Sequence, residues 1–142
     1  MTRKETQSDY WQSFGAYARA RGSRFGGGGS ENGSYKSWGV GRTGYKLSAA
    51  VRLEYDGPGG LVAFEVEGTD AASDYARLLL DRPAVEQELG SAADWEETAG
   101  QRRRSISVVG GPSGDDRSLW PDLHRWTLDQ LEAFDRTFRL RI

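Results

Sequence analysis

Two runs of alternating residues, joined by a short turn, constrain this chain more than any other feature. From Tyr45 the positions Leu47, Ala49, Val51, Leu53 and Tyr55 fall on one face, with Lys46, Ser48, Arg52 and Glu54 largely on the other. After Asp56-Gly57-Pro58-Gly59-Gly60, the residues Val62, Phe64 and Val66 alternate in the same way. Successive side chains of a strand point to opposite faces, so each run reads as a strand with one face buried. A turn of that kind joins neighbours, and the two strands are expected to pair as an antiparallel hairpin.

Helical stripes elsewhere supply what such a hairpin must bury against. Tyr10, Trp11, Phe14, Tyr17 and Ala18 share one face of a helix over residues 4–21, with Gly22 as its C-terminal stop. Thr69-Asp70 is expected to cap a second helix carrying Tyr75, Leu78, Leu79, Val85 and Leu89, kinked or restarted at Pro83 and ended by Gly90. Trp120-Pro121 opens a third, reaching about Phe138, with Leu119, Leu123, Trp126, Leu131, Phe134 and Phe138 on one face. Residues 35–41 offer a further strand, and two short strands are expected near 94–98 and 104–109. Residues 23–34 hold Gly26 to Gly29 and Gly33 among small polar residues and read as a flexible internal loop. The order helix, strands, helix, strands, helix predicts an α+β fold, a single antiparallel sheet with about three helices packed on one face. The 142 residues suit one domain spanning 1–142.

The absence of cysteine and the single histidine, His124, remove thiolate zinc sites, disulfides and CxxC redox chemistry, and leave triad-type catalysis resting on one residue. No stretch approaches the ~20 apolar residues of a spanning helix, and the N-terminus lacks an apolar leader, so the expectation is a soluble, cytoplasmic protein without a membrane partner. The net charge of −2 is unevenly spread. Residues 1–52 carry nine Lys/Arg against three carboxylates, residues 53–100 two against twelve, and residues 101–142 eight against six. If the fold keeps these segments apart, the surface is bipolar, suited to a polyanion or to a second copy of itself.

The aromatic spacing carries a resemblance. Tyr10-Trp11-x-x-Phe14-x-x-Tyr17 with Gly22-Ser23, then Trp38, Gly41-Arg42-Thr43-Gly44-Tyr45, Val85-Glu86-x-x-Leu89-Gly90, Trp95-Glu96, and finally Trp120-Pro121, Trp126, Leu131, Phe134 and Phe138-Arg139 resemble the bacterial family known as domain of unknown function 4268. The likeness runs over nearly the whole chain. It implies a module that commonly follows a nuclease-like domain in restriction or defence proteins, and hence a nuclease-like partner, but implies no reaction. Two departures are the solitary module and Asp81-Arg82-Pro83-Ala84, where the family usually has a continuous helix.

Candidate chemistry is sparse. Gly39-Val40-Gly41-Arg42-Thr43-Gly44 has the letters G-x-G-x-x-G but leads into a strand, not a helix, so it is not a dinucleotide fingerprint. It is a glycine-permitted turn with Arg42 at its tip. Around it Tyr35, Lys36, Trp38, Arg42, Tyr45 and Lys46 interleave cations with aromatics, the pattern that neutralises phosphates and stacks bases. Alternatively, Trp38 and Tyr45 belong to the core. Arg102, Arg103 and Arg104 form the densest charge run, suited to phosphate or to a solvated bend. Asp56 with Glu65-Val66-Glu67 approximates a Mg²⁺ nuclease motif but has Glu where Lys is needed. His124 reads as a boundary residue of its helix. The leading expectation is a non-catalytic module binding DNA or RNA through Lys36, Trp38, Arg42, Tyr45, Lys46, Arg102, Arg103 and Arg104, with no catalytic residue, metal or cofactor. The alternative is a protein-interaction or homodimerisation domain, and a Mg²⁺-dependent hydrolase is a distant third.

Overall fold

The computed structural model describes residues 2–97 and 103–142. Six strands make one sheet: β1 (Ser30–Asn32), β2 (Tyr35–Gly39), β3 (Tyr45–Val51), β4 (Gly60–Val66), β5 (Asp94–Glu97) and β6 (Arg104–Gly110). Their order is β1-β2-β3-β4-β6-β5, and every pairing is antiparallel. The expected hairpin forms its centre, with Leu47 opposite Phe64 and Ala49 opposite Val62. Four helices, α1 (Arg3–Ala20), α2 (Ala71–Leu80), α3 (Arg82–Leu89) and α4 (Trp120–Arg139), complete an α+β fold. Pro83 accounts for four helices in place of three, because it falls in the first turn of α3, where a missing N–H and a fixed φ do no harm.

The helices cover one face of the sheet. On it Leu47, Ala49, Val51, Val62, Phe64, Val66, Ile106 and Val108 are buried, the alternate residues of their strands. The long helix α4 crosses them, and Phe138 stacks on Phe64 with ring centroids 4.3 Å apart. Both rings are fully buried, each contributing about 1.5–3 kcal/mol of transfer free energy. Beside α4, α1 inserts Tyr10, Trp11 and Phe14, edge-to-face against one another and against Trp120. Thr2 and Glu5 close a reciprocal capping box at the start of α1.

Three local readings of the sequence differ from the structure. The alternation through Tyr55 does not prolong β3: its partner β4 begins at Gly60, opposite Val51, and one further bond, Arg52 N–H to the Gly59 carbonyl (2.8 Å), closes the pairing. Glu54 there takes a left-handed backbone, φ +56°, and Tyr55 is exposed. Asp70 precedes α2 but makes no side-chain cap, because its carboxylate faces Arg42 instead. Residues 23–34 contain a 3₁₀ turn at Arg24–Gly26 and the strand β1. Ser23 accepts the Phe25 N–H, and Phe25 lies fully buried, edge-on to Trp38 at 5.1 Å. One aromatic anchor among glycines holds the segment to the core, which a count of glycines hides.

Candidate functional site

The residues expected to grip nucleic acid are divided between the two faces of the sheet. Trp38 and Tyr45 are each 4% exposed, on the helix-covered side. Trp38 sits edge-on to Phe25 and donates its indole N–H to the Gly27 carbonyl (3.2 Å). Neither ring offers an open face to a base. Lys36 is on that same side, its ammonium 5.5 Å over the Trp38 ring, whereas Lys46 emerges on the opposite side beside Glu65. Arg102 lies outside the described residues.

The arginines are engaged. Arg42 bridges Asp70 (3.2 Å) and Asp74 (3.0 Å) while lying over the Tyr45 ring. Tyr45 donates its hydroxyl to Asp74. Burial, reinforced by that carboxylate, pushes the phenol up to about 12, and the same hydrogen bond holds Asp74 below the usual carboxylate range. Arg103 meets Glu65 (3.1 Å), Arg104 meets Glu97 (2.8 Å), and Arg141 joins Glu88 (2.8 Å). The basic first third and the acidic middle third therefore pair within one chain, through Arg42 with Asp70 and Asp74 and through Arg3 with Glu54.

The glycine motif is a structural turn. Tyr45 N–H closes it on the Arg42 carbonyl (3.2 Å), and Gly44 adopts φ +87° with its missing Cβ 2.3 Å from the Glu67 carbonyl oxygen. No other residue fits there. His124 is a core residue, not a boundary one, being 4% exposed and ringed by Tyr10, Phe14, Tyr17 and Trp120. Ser13 Oγ lies 3.2 Å from His124 Nε2 and 2.9 Å from the Tyr10 carbonyl, so a hydrogen bond ties the imidazole to α1. Burial lowers the imidazole pKa to about 4, leaving it neutral near pH 7. Of the acidic groups, Asp56 lies in the β3–β4 loop, and Glu65 is held by Ser48 and Arg103. Among the described residues no three such groups converge as metal ligands.

What the fold builds is the other face of the sheet. Directly opposed residues share a face, so the register lines up side chains in rows across the strands. One row reads Ser30, Ser37, Ser48, Ala63, Ser107, Asp94. It is a trough of serine and alanine that crosses the strands and ends at Asp94, and its central members Ser48 and Ala63 are only 5% and 6% exposed. On one flank stands a taller, largely apolar row, Tyr35, Ala50, Leu61 and Val109; on the other a charged one, Lys46, Glu65, Ser105 and Glu96. The centre of this face encloses about 370 Å³ between Tyr35, Leu61, Lys46 and Arg103. Ser48 donates to Glu65 (2.6 Å) and meets Ser37 Oγ at 2.9 Å, so the floor is hydrogen-bonded in place.

Sequence reasoning passed over these residues because each strand contributes only one to a row. The available signal was compositional: Ser48, Ala50, Ala63, Ser105 and Ser107 are small at outward positions of central strands, where larger β-formers are usual.

No helix among the described residues is long and apolar enough to cross a membrane. Neither the curated proteins nor the solved structures contain a match to the chain. A family model described as Domain of unknown function (DUF4268) matches residues 6–142, and the chain belongs to that family.

Proposed function

We propose that this chain is a non-catalytic protein-interaction module that works through the open face of its sheet. The observation that carries the reading is the relief of that face, a trough of serine and alanine between an apolar ridge and a charged one. An extended trough beside a ridge suits side chains of a facing surface. Among the described residues its charges are of mixed sign, Lys46 and Arg103 against Glu65, Glu96 and Asp94, which favours a protein surface over a polyanion.

Nucleic acid is the second reading, in the cytoplasm and in the bacterial restriction or defence setting that the family resemblance implied. It is favoured by Lys46, Arg103 and the exposed Tyr35 around the same trough. Without Trp38 and Tyr45 it has one aromatic to stack a base.

The test is the size of the tagged chain in extracts of cells that make it. The wild type is expected to elute in a larger assembly and Val109→Glu, on the exposed ridge, as free chain. Equal elution of the two, together with a purified chain that stays monomeric at high concentration, overturns the reading. Salt-sensitive anisotropy of a labelled oligonucleotide moves the face to nucleic acid.

A further inference from the structure

We infer that a second copy of this chain occupies the trough, in a face-to-face dimer of sheets; the inference rests on the open face being the interaction surface. A ridge running parallel to a trough on one surface is self-complementary. A two-fold axis lying along the border between them, across the strands, turns each copy's ridge over the other's trough. Rotation about that axis leaves the position along it unchanged, so residues of the same strand meet. Leu61 comes over Ala63 of the second copy, Val109 over its Ser107 and Tyr35 over its Ser37, each contact made twice.

Size alternates with the need. Every large ridge residue faces a small trough residue, and Ala50, the low point of the ridge, faces Ser48. Sheets packed about 10 Å apart need this interdigitation. The described residues of the face carry two cations and three carboxylates, a small net charge that two copies can bring together, whereas two large fields of one sign would repel. This is a different dimer from the one suggested by the charged thirds of the sequence, whose arginines and carboxylates already meet within the chain.

The area sets the strength. Five inter-strand steps of about 4.8 Å and three rows about 6.8 Å apart give a face of about 24 by 18 Å. With the axis on the border of ridge and trough only those two rows overlap, a strip about 24 by 14 Å, and the two copies together bury about 670 Å², below the ~1,200 Å² lower limit of stable interfaces, so the dimer is weak.

Sedimentation equilibrium of the full chain from about 10 µM to about 1 mM reads this directly. The expected result is a mass rising toward twice the monomer, with less than about a twofold change in dissociation constant between 0.1 and 0.5 M NaCl, since no net charge drives it. Val109→Glu, on an exposed side chain, and Ala63→Phe, which fills the trough without adding charge, are each expected to weaken association at least about tenfold, as loss of a central contact does. A monomer throughout overturns the inference, as does a dimer indifferent to both variants or one dissolved by salt. If the purified chain is monomeric while Val109→Glu still releases it from an assembly in extract, the second copy is excluded and the interaction reading stands; a chain free in both settings excludes both.

Discussion

Lowering the pH from 7 to 5 should selectively destabilise this protein through one residue. His124 is the chain's only histidine, and no other side chain has an ordinary pKa in that interval. In the unfolded chain its pKa is the ordinary ~6.5. In the fold it is lowered to about 4 by burial among Tyr10, Phe14, Tyr17 and Trp120, with Ser13 Oγ its hydrogen-bond partner. The folded state thus binds fewer protons, so stability is full above the unfolded pKa, declines as pH falls below it, and levels off below the folded one. At 1.36 kcal/mol per pKa unit, the loss between pH 7 and 5 is at most about 2 kcal/mol, out of a total of roughly 5–15. Urea unfolding at pH 7 and pH 5 measures it, with His124→Gln as the control, since a glutamine amide can still hydrogen-bond to Ser13 but does not titrate. The wild type should lose stability across that interval and the variant should hold nearly constant. A His124 titration near 6.5 by NMR, or an equal loss in both proteins, would refute the reasoning.

Other expectations follow from packing. The Trp126 ring lies on a floor formed by the opposed Gly60 and Gly110, a Cβ on either approaching it to 2.6 Å, so Gly110→Ala should cost about 1–3 kcal/mol in denaturant midpoint, and Trp126→Leu should relieve most of that penalty in the double variant. Phe25→Ala should cost about 3–5 kcal/mol by thermal unfolding despite its glycine-rich surroundings; a cost under about 1 would mean that residues 23–34 are not tied to the core. Gly44→Ala combines a left-handed backbone with a 2.3 Å clash on the Glu67 carbonyl, and should lower soluble expression far more than Gly27→Ala, where a Cβ meets nothing within 4 Å.

The parts of the fold legible in the sequence are those where burial imposes a period. Leu47, Ala49 and Val51 alternate because one face of β3 meets helices, and Tyr10, Trp11 and Phe14 recur at helical spacing because α1 buries one stripe. The signal misled where periodicity outran pairing, as at Tyr55, which lies past the end of β3 and is exposed. It was silent where long-range geometry decides: Asp70 looks like a cap until Arg42 is seen beside it, and Arg103 looks available until Glu65 is placed against it. The aromatic and basic strip is divided between two faces for a simple reason. Neighbours along a strand point to opposite sides, so Tyr45 entered the core while Lys46 did not. The trough was hidden for the converse reason, since its members are scattered from Ser30 to Ser107 and only the register of six strands assembles them.

Amide chemical shifts recorded at about 20 µM and about 1 mM test most directly whether a second copy of this chain occupies the open face, because a weak dimer changes population over that range. The account predicts concentration-dependent shifts concentrated at Ser48, Ala50, Leu61, Ala63, Ser105, Ser107 and Val109, with the helices unmoved. Invariant spectra, or shifts confined to α1 to α4, would contradict it.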